Sequence, residues 1–290
     1  MTIFLQQVFN GLTLGSIYGL VALGLTLVYG ILHIPNFAHG ALYMVGAFMS
    51  YFFMVDMGAH YWVAMAGSAV VVAALAVICE RLVFHPLRHA PPIHDMIAAI
   101  GILLFLEAAI HAIWGSQPVR MTSPFTGMGS TLNIGGVFIR QQALLVIVAA
   151  TVLVVALTLF LRKTMVGATI IAMAQNREGA FLVGIDANRV AMMTFAISGV
   201  LAAVAATLFA PMTLVSPVMG HIVIMKAFVI IILGGMGSIP GAIIGGMIIG
   251  MAEALGGFYI SDVYKDVIAF GLLVVILSIR PQGLFAKGAH

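Results

Sequence analysis

Three stretches of this 290-residue chain run the width of a bilayer without a Lys, Arg, Asp or Glu: residues 141–161, 190–225 and 227–252. The first 55 residues are uncharged too, and Asp56 is the first charge. A helix crosses the hydrocarbon core with about 20 apolar residues. Backbone groups there find no water, so only helices and closed barrels can span it. A barrel strand alternates apolar and polar positions over about ten residues; these runs are longer and continuously apolar. The expected fold class is therefore all-α, a polytopic integral membrane protein. Composition agrees, with 63% of residues hydrophobic and 7% charged, against about 25% charged in soluble domains. No charged linker is long enough to set off a soluble domain, so residues 1–290 read as a single transmembrane domain in contact with membrane lipid. The net charge of +3 calls for no nucleic-acid partner, because the cytoplasmic ends of membrane helices collect basic residues anyway.

Crossings are predicted at 8–31, 36–55, 61–80, 94–114, 141–161, 190–210, 222–236, 240–256 and 264–280, which gives eight or nine according to whether 222–236 crosses fully. The loop from Glu80 to Asp95 holds Arg81, Arg88 and three His. The stretch 162–189 holds Arg162, Lys163, Arg177 and Arg189 against Glu178 and Asp186, and the tail holds Arg280 and Lys287. All three read as cytoplasmic. The N-terminus then lies outside, and a cytoplasmic C-terminus favours nine crossings. Segment 116–139, rich in Gly, Ser, Thr and Pro, lacks a helix signal; a plain surface loop and a contact for an extracytoplasmic partner fit it equally. Cys79 is the sole cysteine, which excludes an internal disulfide and a multi-thiolate metal site.

Two places interrupt the helical pattern. Residues 30–40 contain Pro35 between Gly30 and Gly40, and residues 234–241 contain Pro240 with Gly234, Gly235, Gly237, Ser238 and Gly241. Proline cannot continue a helix without losing a hydrogen bond. Non-helical backbone at membrane depth must face protein or a watery path, and broken helices build solute sites in many transporters. Broken or re-entrant helices are expected at both places; a role in the permeation path and an ordinary turn at the bilayer surface remain equal readings. Asn36 and His39 can both donate and accept hydrogen bonds. Holding the broken helix is their larger expectation, and touching a zwitterionic solute the smaller.

Intramembrane ionisable groups are costly and should pair or line a wet interior. Glu107 and His111, four apart on one helix face, are expected to form a buried structural pair rather than a proton relay. Lys226 and Glu253 flank the second break and could pair across it; Lys226 could equally snorkel. His85, His89 and His94 make a poor metal site, since Pro86, Pro91 and Pro92 break the helix that would align them. Glycine series at 11, 15 and 19 and at 241, 245, 246 and 250 have the spacing of close helix packing, within the subunit or against a partner. Asp186 is placed to cap the helix that follows it.

The opening Asn10-Gly11-Leu12-Thr13-Leu14-Gly15-Ser16-Ile17-Tyr18-Gly19-Leu20, the segment Asn36-Phe37-Ala38-His39-Gly40 with Tyr43, Met44 and Gly46, and Leu233-Gly234-Gly235-Met236-Gly237-Ser238-Ile239-Pro240-Gly241-Ala242 occur in order, followed by Glu253, Tyr264-Lys265-Asp266 and Arg280-Pro281-Gln282-Gly283. Across essentially the whole chain this resembles the branched-chain amino acid ABC permease family, in its shorter membrane subunit. The resemblance implies a bacterial cytoplasmic (inner) membrane location. It also implies a second related permease subunit, two ATP-binding cassette ATPase subunits and an extracytoplasmic solute-binding protein. The implied solutes are leucine, isoleucine and valine, with other small amino acids, amides or urea in relatives. It places an ATPase-coupling segment within 162–189, with Gly167, Arg177, Glu178, Ala180 and Gly184 as its matching residues. That segment is less charged than the family pattern, with Ala168 and Ile171 at two of its positions.

No cofactor is expected in this chain. The glycine-rich stretch at 235–241 lacks the Lys-Ser/Thr of a phosphate-binding loop, so ATP would be used by partner subunits. The subunit is read as a non-enzyme, without catalytic or metal-binding residues, that forms the solute path by alternating access. A gradient-driven transporter using Glu107, His111 or Glu253 is the alternative, but leaves the stretch 162–189 without a purpose. A purely structural membrane protein leaves the polar groups at the breaks unexplained.

Overall fold

The computed structural model describes residues 2–32, 36–88, 90–125, 131–134 and 136–285. Twelve helices and one hairpin follow in chain order among them. These are α1 (Thr2–Leu32), α2 (Ala38–Tyr51), α3 (Tyr61–Cys79), the single turn α4 (His85–Leu87) and α5 (Pro92–Trp114). The antiparallel strands β1 (Thr131–Ile134) and β2 (Val137–Arg140) precede α6 (Gln141–Lys163), α7 (Met165–Gln175), α8 (Arg177–Leu182) and α9 (Ala187–Phe209). The chain ends in α10 (Met219–Gly234), α11 (Ile239–Tyr259) and α12 (Lys265–Ile279). Wider π-helical turns at Phe52–Asp56 and Glu80–Phe84 prolong α2 and α3. The all-α polytopic expectation holds: seven helical segments are long and apolar enough to cross a membrane. Helices α10 and α12, at 16 and 15 residues, fall short of the roughly 20 that a full crossing takes. They occupy the seventh and ninth predicted crossings.

Burial sorts the helices. In the apolar window of α1, 83% of the residues are buried, against 22% in α5 and in α6, so α1 is an axial helix and α5 and α6 are peripheral. Helix α1 packs most extensively against α11, and then against α9. The glycine spacing explains the first of these contacts. Gly11 and Gly15 face Met251 and Met247, while Gly246 and Gly250 lie against the backbone of Gly19 and Gly15. A β-carbon on Gly250 would stand 2.2 Å from the Gly15 nitrogen, so both glycine series are spent inside the subunit. Lipid supplies no hydrophobic driving force between helices, and close packing of small residues takes its place.

Several buried hydroxyl groups in this bundle bond to protein, while those of Thr26 and Tyr43 have no partner among the described residues. Thr13, Ser16, Thr194 and Thr207 each donate to the carbonyl one turn earlier. Between helices, Ser68 of α3 donates to the Gly46 carbonyl at 2.7 Å and Tyr61 to the Thr207 carbonyl at 3.1 Å. Gln142 at the start of α6 donates to the Leu208 carbonyl at 2.8 Å.

Two features escaped the sequence. The outer segment forms the β1–β2 hairpin, pinned to α1 where Gln6 both donates to and accepts from the Phe138 backbone, at 2.8 and 2.9 Å. Between α9 and α10, residues 213–218 are non-helical, and Val215 pairs with Val119 as an isolated antiparallel bridge. The chain is thus interrupted before α10 as well as after it.

Gly250→Leu is expected to abolish recovery of folded subunit, because backbone rather than a movable side chain occupies the space. Gly101→Ala, with nothing within 4 Å of the new carbon, is expected to behave as the parent. The monodisperse fraction after detergent extraction checks both.

Candidate functional site

At the first break α1 runs to Leu32 and α2 restarts at Ala38; His33, Ile34 and Pro35 lie outside the described residues. Asn36 begins the new helix, its side-chain oxygen accepting from the Ala38 N–H at 3.1 Å and its carbonyl from the His39 N–H at 3.3 Å. Its Nδ2 is buried with no partner among the described residues. His39 is fully buried, with Nε2 3.0 Å from the Val21 carbonyl and Nδ1 3.1 Å from Ser198 Oγ. A carbonyl can only accept, so Nε2 carries the proton and Nδ1 accepts from the serine. Val21 stands about 16 Å of helix short of Leu32, and Ser198 is midway along α9. Helix α2 therefore starts deep in the bundle rather than at its end. Gly40 meets Gly220 there, each so close that a β-carbon on either would lie within 2.7 Å of the other's carbonyl oxygen, so the starts of α2 and α10 touch.

The second break is closed by protein. Gly235 and Gly237 take positive φ values of 96° and 81°, the left-handed region that glycine enters without strain. Ser238 caps α11 by accepting from the Gly241 N–H at 3.2 Å. Gly234 and Gly241 are in backbone contact. Leu284 and Phe285 of the C-terminal tail donate to the Leu233 and Gly234 carbonyls at 2.8 and 3.1 Å, so the free end of α10 is satisfied from within.

Two centres of ionisable side chains lie near these helices. Lys226 Nζ sits 2.6 Å from Glu253, 3.0 Å from the Tyr18 hydroxyl and 3.1 Å from Asp266. Tyr18 in turn donates to the other Glu253 oxygen at 2.9 Å. One network thus joins α1, α10, α11 and α12, and the Lys226 and Glu253 side chains are only 10% and 6% exposed. Of the two fates open to Lys226, pairing across the break is the one observed. Glu107 does not bond to His111. Its carboxylate meets His221 Nε2 of α10 at 2.6 Å. The expected i,i+4 pair is thus replaced by one between helices, because the α5 face carrying Glu107 points toward the start of α10. His221 was missed: one histidine in an uncharged run carries no spacing signal.

On the face that the charge bias of the sequence predicts to be cytoplasmic, three capped helices follow in quick succession. Thr164 accepts from the Gly167 N–H at 3.0 Å, Asn176 from Gly179 at 2.9 Å, and Asp186 from Asn188 at 2.9 Å, as expected of Asp186. Gly167 is pressed onto the backbone of Leu161, 2.4 Å from where its β-carbon would be, which fixes the sharp turn from α6 into α7. Ala180 is buried, Arg177 partly buried and Glu178 exposed, and Gly184 turns the chain at φ 80°. Phe181, Leu182 and Val183 are 53%, 89% and 76% exposed at the tip of α8, an apolar point on a polar face. Arg88 bridges Glu80 and Asn188 beside this region.

No cluster of three or more His, Cys, Asp or Glu able to hold a metal occurs among the described residues; His89 of the weighed histidine set lies outside them. At the opposite face a cleft of about 520 Å³ opens between α1 and the hairpin, lined by Gln6, Asn10, Thr13, Thr131 and Arg140.

Lys226→Met, which strands Glu253, is expected to cost about 3–5 kcal/mol of stability. The double variant Lys226→Met/Glu253→Met is expected to recover most of it. Thermal unfolding of the subunit in detergent measures both.

Residues 7–277 match the family model described as "Branched-chain amino acid transport system / permease component". The chain is 39% identical to the high-affinity branched-chain amino acid transport system permease protein LivH of Salmonella typhimurium and, equally, to that of Escherichia coli. It is 37% identical to the corresponding protein BraD of Pseudomonas aeruginosa. Each match covers 98% of this chain and 96% of the relative. Among solved structures, PsaBC from Streptococcus pneumoniae in complex with Fab shares the fold, with a TM-score of 0.54 at 11% identity over 96% of this chain and 92% of that one.

Proposed function

Because this chain belongs to the branched-chain amino acid transport permease family, as a multi-pass protein of the inner membrane, we propose that it is the solute-path subunit of an ATP-driven importer for leucine, isoleucine and valine. A second related permease completes the path. Two ATPase subunits dock on the cytoplasmic face, and an extracytoplasmic binding protein delivers the solute. The subunit hydrolyses no nucleotide itself; it converts the motion of its partners into alternating access.

The observation that carries this reading is the tip of α8. A six-residue helix ending in exposed Phe181, Leu182 and Val183 is held by caps on both sides and by the tight turn at Gly167. Exposed apolar groups rimmed by polar residues mark protein contact sites, and the rigid mounting would pass a push at α8 directly to α7 and α9. Arg177 and Glu178 form the polar rim. A gradient-driven carrier has no use for such a fixture, and Glu253 is already held by Lys226 and Tyr18.

Reconstitution of the chain with its second permease, ATPases and binding protein tests the reading. The expected result is leucine uptake that requires internal ATP; uptake by this chain alone, driven by an ion gradient, would overturn it. Burying one leucine side chain contributes about 1.5–3 kcal/mol. Leu182→Asp is therefore expected to weaken ATPase retention by about tenfold or more, measured by co-purification, while the subunit itself still folds.

A further inference from the structure

The Glu107–His221 pair is left partly uncovered by this chain. Glu107 lies about 10 Å of helix short of the end of α5 at Trp114, too deep for a short carboxylate side chain to reach the surface. Yet the Glu107 and His221 side chains are 16% and 43% exposed. An ionisable pair open to hydrocarbon is costly, and such groups face water-filled paths or protein. The pair also joins elements that otherwise scarcely pack: α5 leans on α2, and α10 on α1, α2, α11 and α12. The stretch 213–218 leads to it from the Val215–Val119 bridge beside the outer loop, and Gly40 seats the start of α10 at depth. Around His221, the exposed Val218, Ile222 and Met225 form an apolar stripe at helical spacing.

We propose that Glu107 and His221 form a solute-binding station on the permeation path, with Glu107 taking the α-ammonium, His221 the α-carboxylate, and Val218, Ile222 and Met225 the branched side chain of the amino acid. This rests on the function proposed above. Without solute the two groups satisfy each other. An arriving zwitterion inserts between them: its ammonium replaces the imidazole at Glu107, and the freed imidazole N–H donates to its carboxylate. Each charge changes partner and none is left bare, so entry and departure stay close in free energy. A path needs that weak, reversible hold.

The test uses the full importer in proteoliposomes, with leucine transported per ATP hydrolysed as the readout. Glu107→Gln keeps the shape but loses the charge, and is expected to lower the ratio about tenfold, the scale of one charge-assisted hydrogen bond; Glu107→Asp is expected to restore part of it. The pair Glu107→Leu/His221→Leu separates a station from a strut. Replacing a buried polar pair by apolar residues of similar volume is often neutral or stabilising, so a mere strut is expected to tolerate this exchange. Continued failure to move leucine by an assembled double variant supports the station. Wild-type transport by that variant, or an unchanged ratio in Glu107→Gln, overturns it while leaving the importer reading intact. A parent importer that does not move leucine at all overturns both.

Discussion

Backbone in hydrocarbon has no water to fall back on, and each element of this bundle is shaped by where its hydrogen-bonding groups go. Long helices satisfy themselves, and hydroxyls such as those of Thr13, Ser16, Thr194 and Thr207 fold back onto the preceding turn. Interruptions are the exceptions, and among the described residues particular side chains and backbone groups serve their helix ends. Asn36 and His39 close the start of α2. Ser238 caps α11, and the C-terminal tail covers the end of α10. Such closures need close approach, which is why glycines concentrate where α1 meets α11, where α2 meets α10, and where the second break folds on itself.

The same rule applied to ionisable side chains separates two kinds of centre. Lys226 and Glu253 are buried, and Tyr18 bonds to both of them; Asp266 adds a half-exposed second carboxylate. This centre ties four helices together. Among the described residues Glu107 and His221 have only each other, and they stay partly exposed. Burial makes the first a fastener. Exposure at depth gives the second a reason to meet something that passes.

The segment from α7 to the start of α9 adds a third principle, rigid mounting of an exposed apolar point. Three side-chain caps within one short stretch, at Thr164, Asn176 and Asp186, hold α7 and α8 as short helices that would be marginal alone. Force applied to the tip of α8 would then move the helices behind it rather than bend the connection.

Local chemistry was legible in the chain. Uncharged runs dictated membrane helices, because charge in hydrocarbon is too costly to be accidental. Pro35, Pro240 and the glycines near them marked the two breaks, and Asp186 announced the helix after it. The ordered motifs pointed to a family that the comparisons then established. Whatever depended on two distant segments meeting was not legible. The partner of Glu107 sits 114 positions away in α10 rather than one turn along α5. The choice of Lys226 between pairing and snorkelling, the internal use of the glycine series, and the hairpin held by Gln6 were decided the same way. Periodicity fixes which face of a helix is apolar, but in a lipid-bathed bundle nearly every face is. Shape complementarity and the pairing of scarce polar groups then choose the neighbours, and both exist only once the helices are assembled.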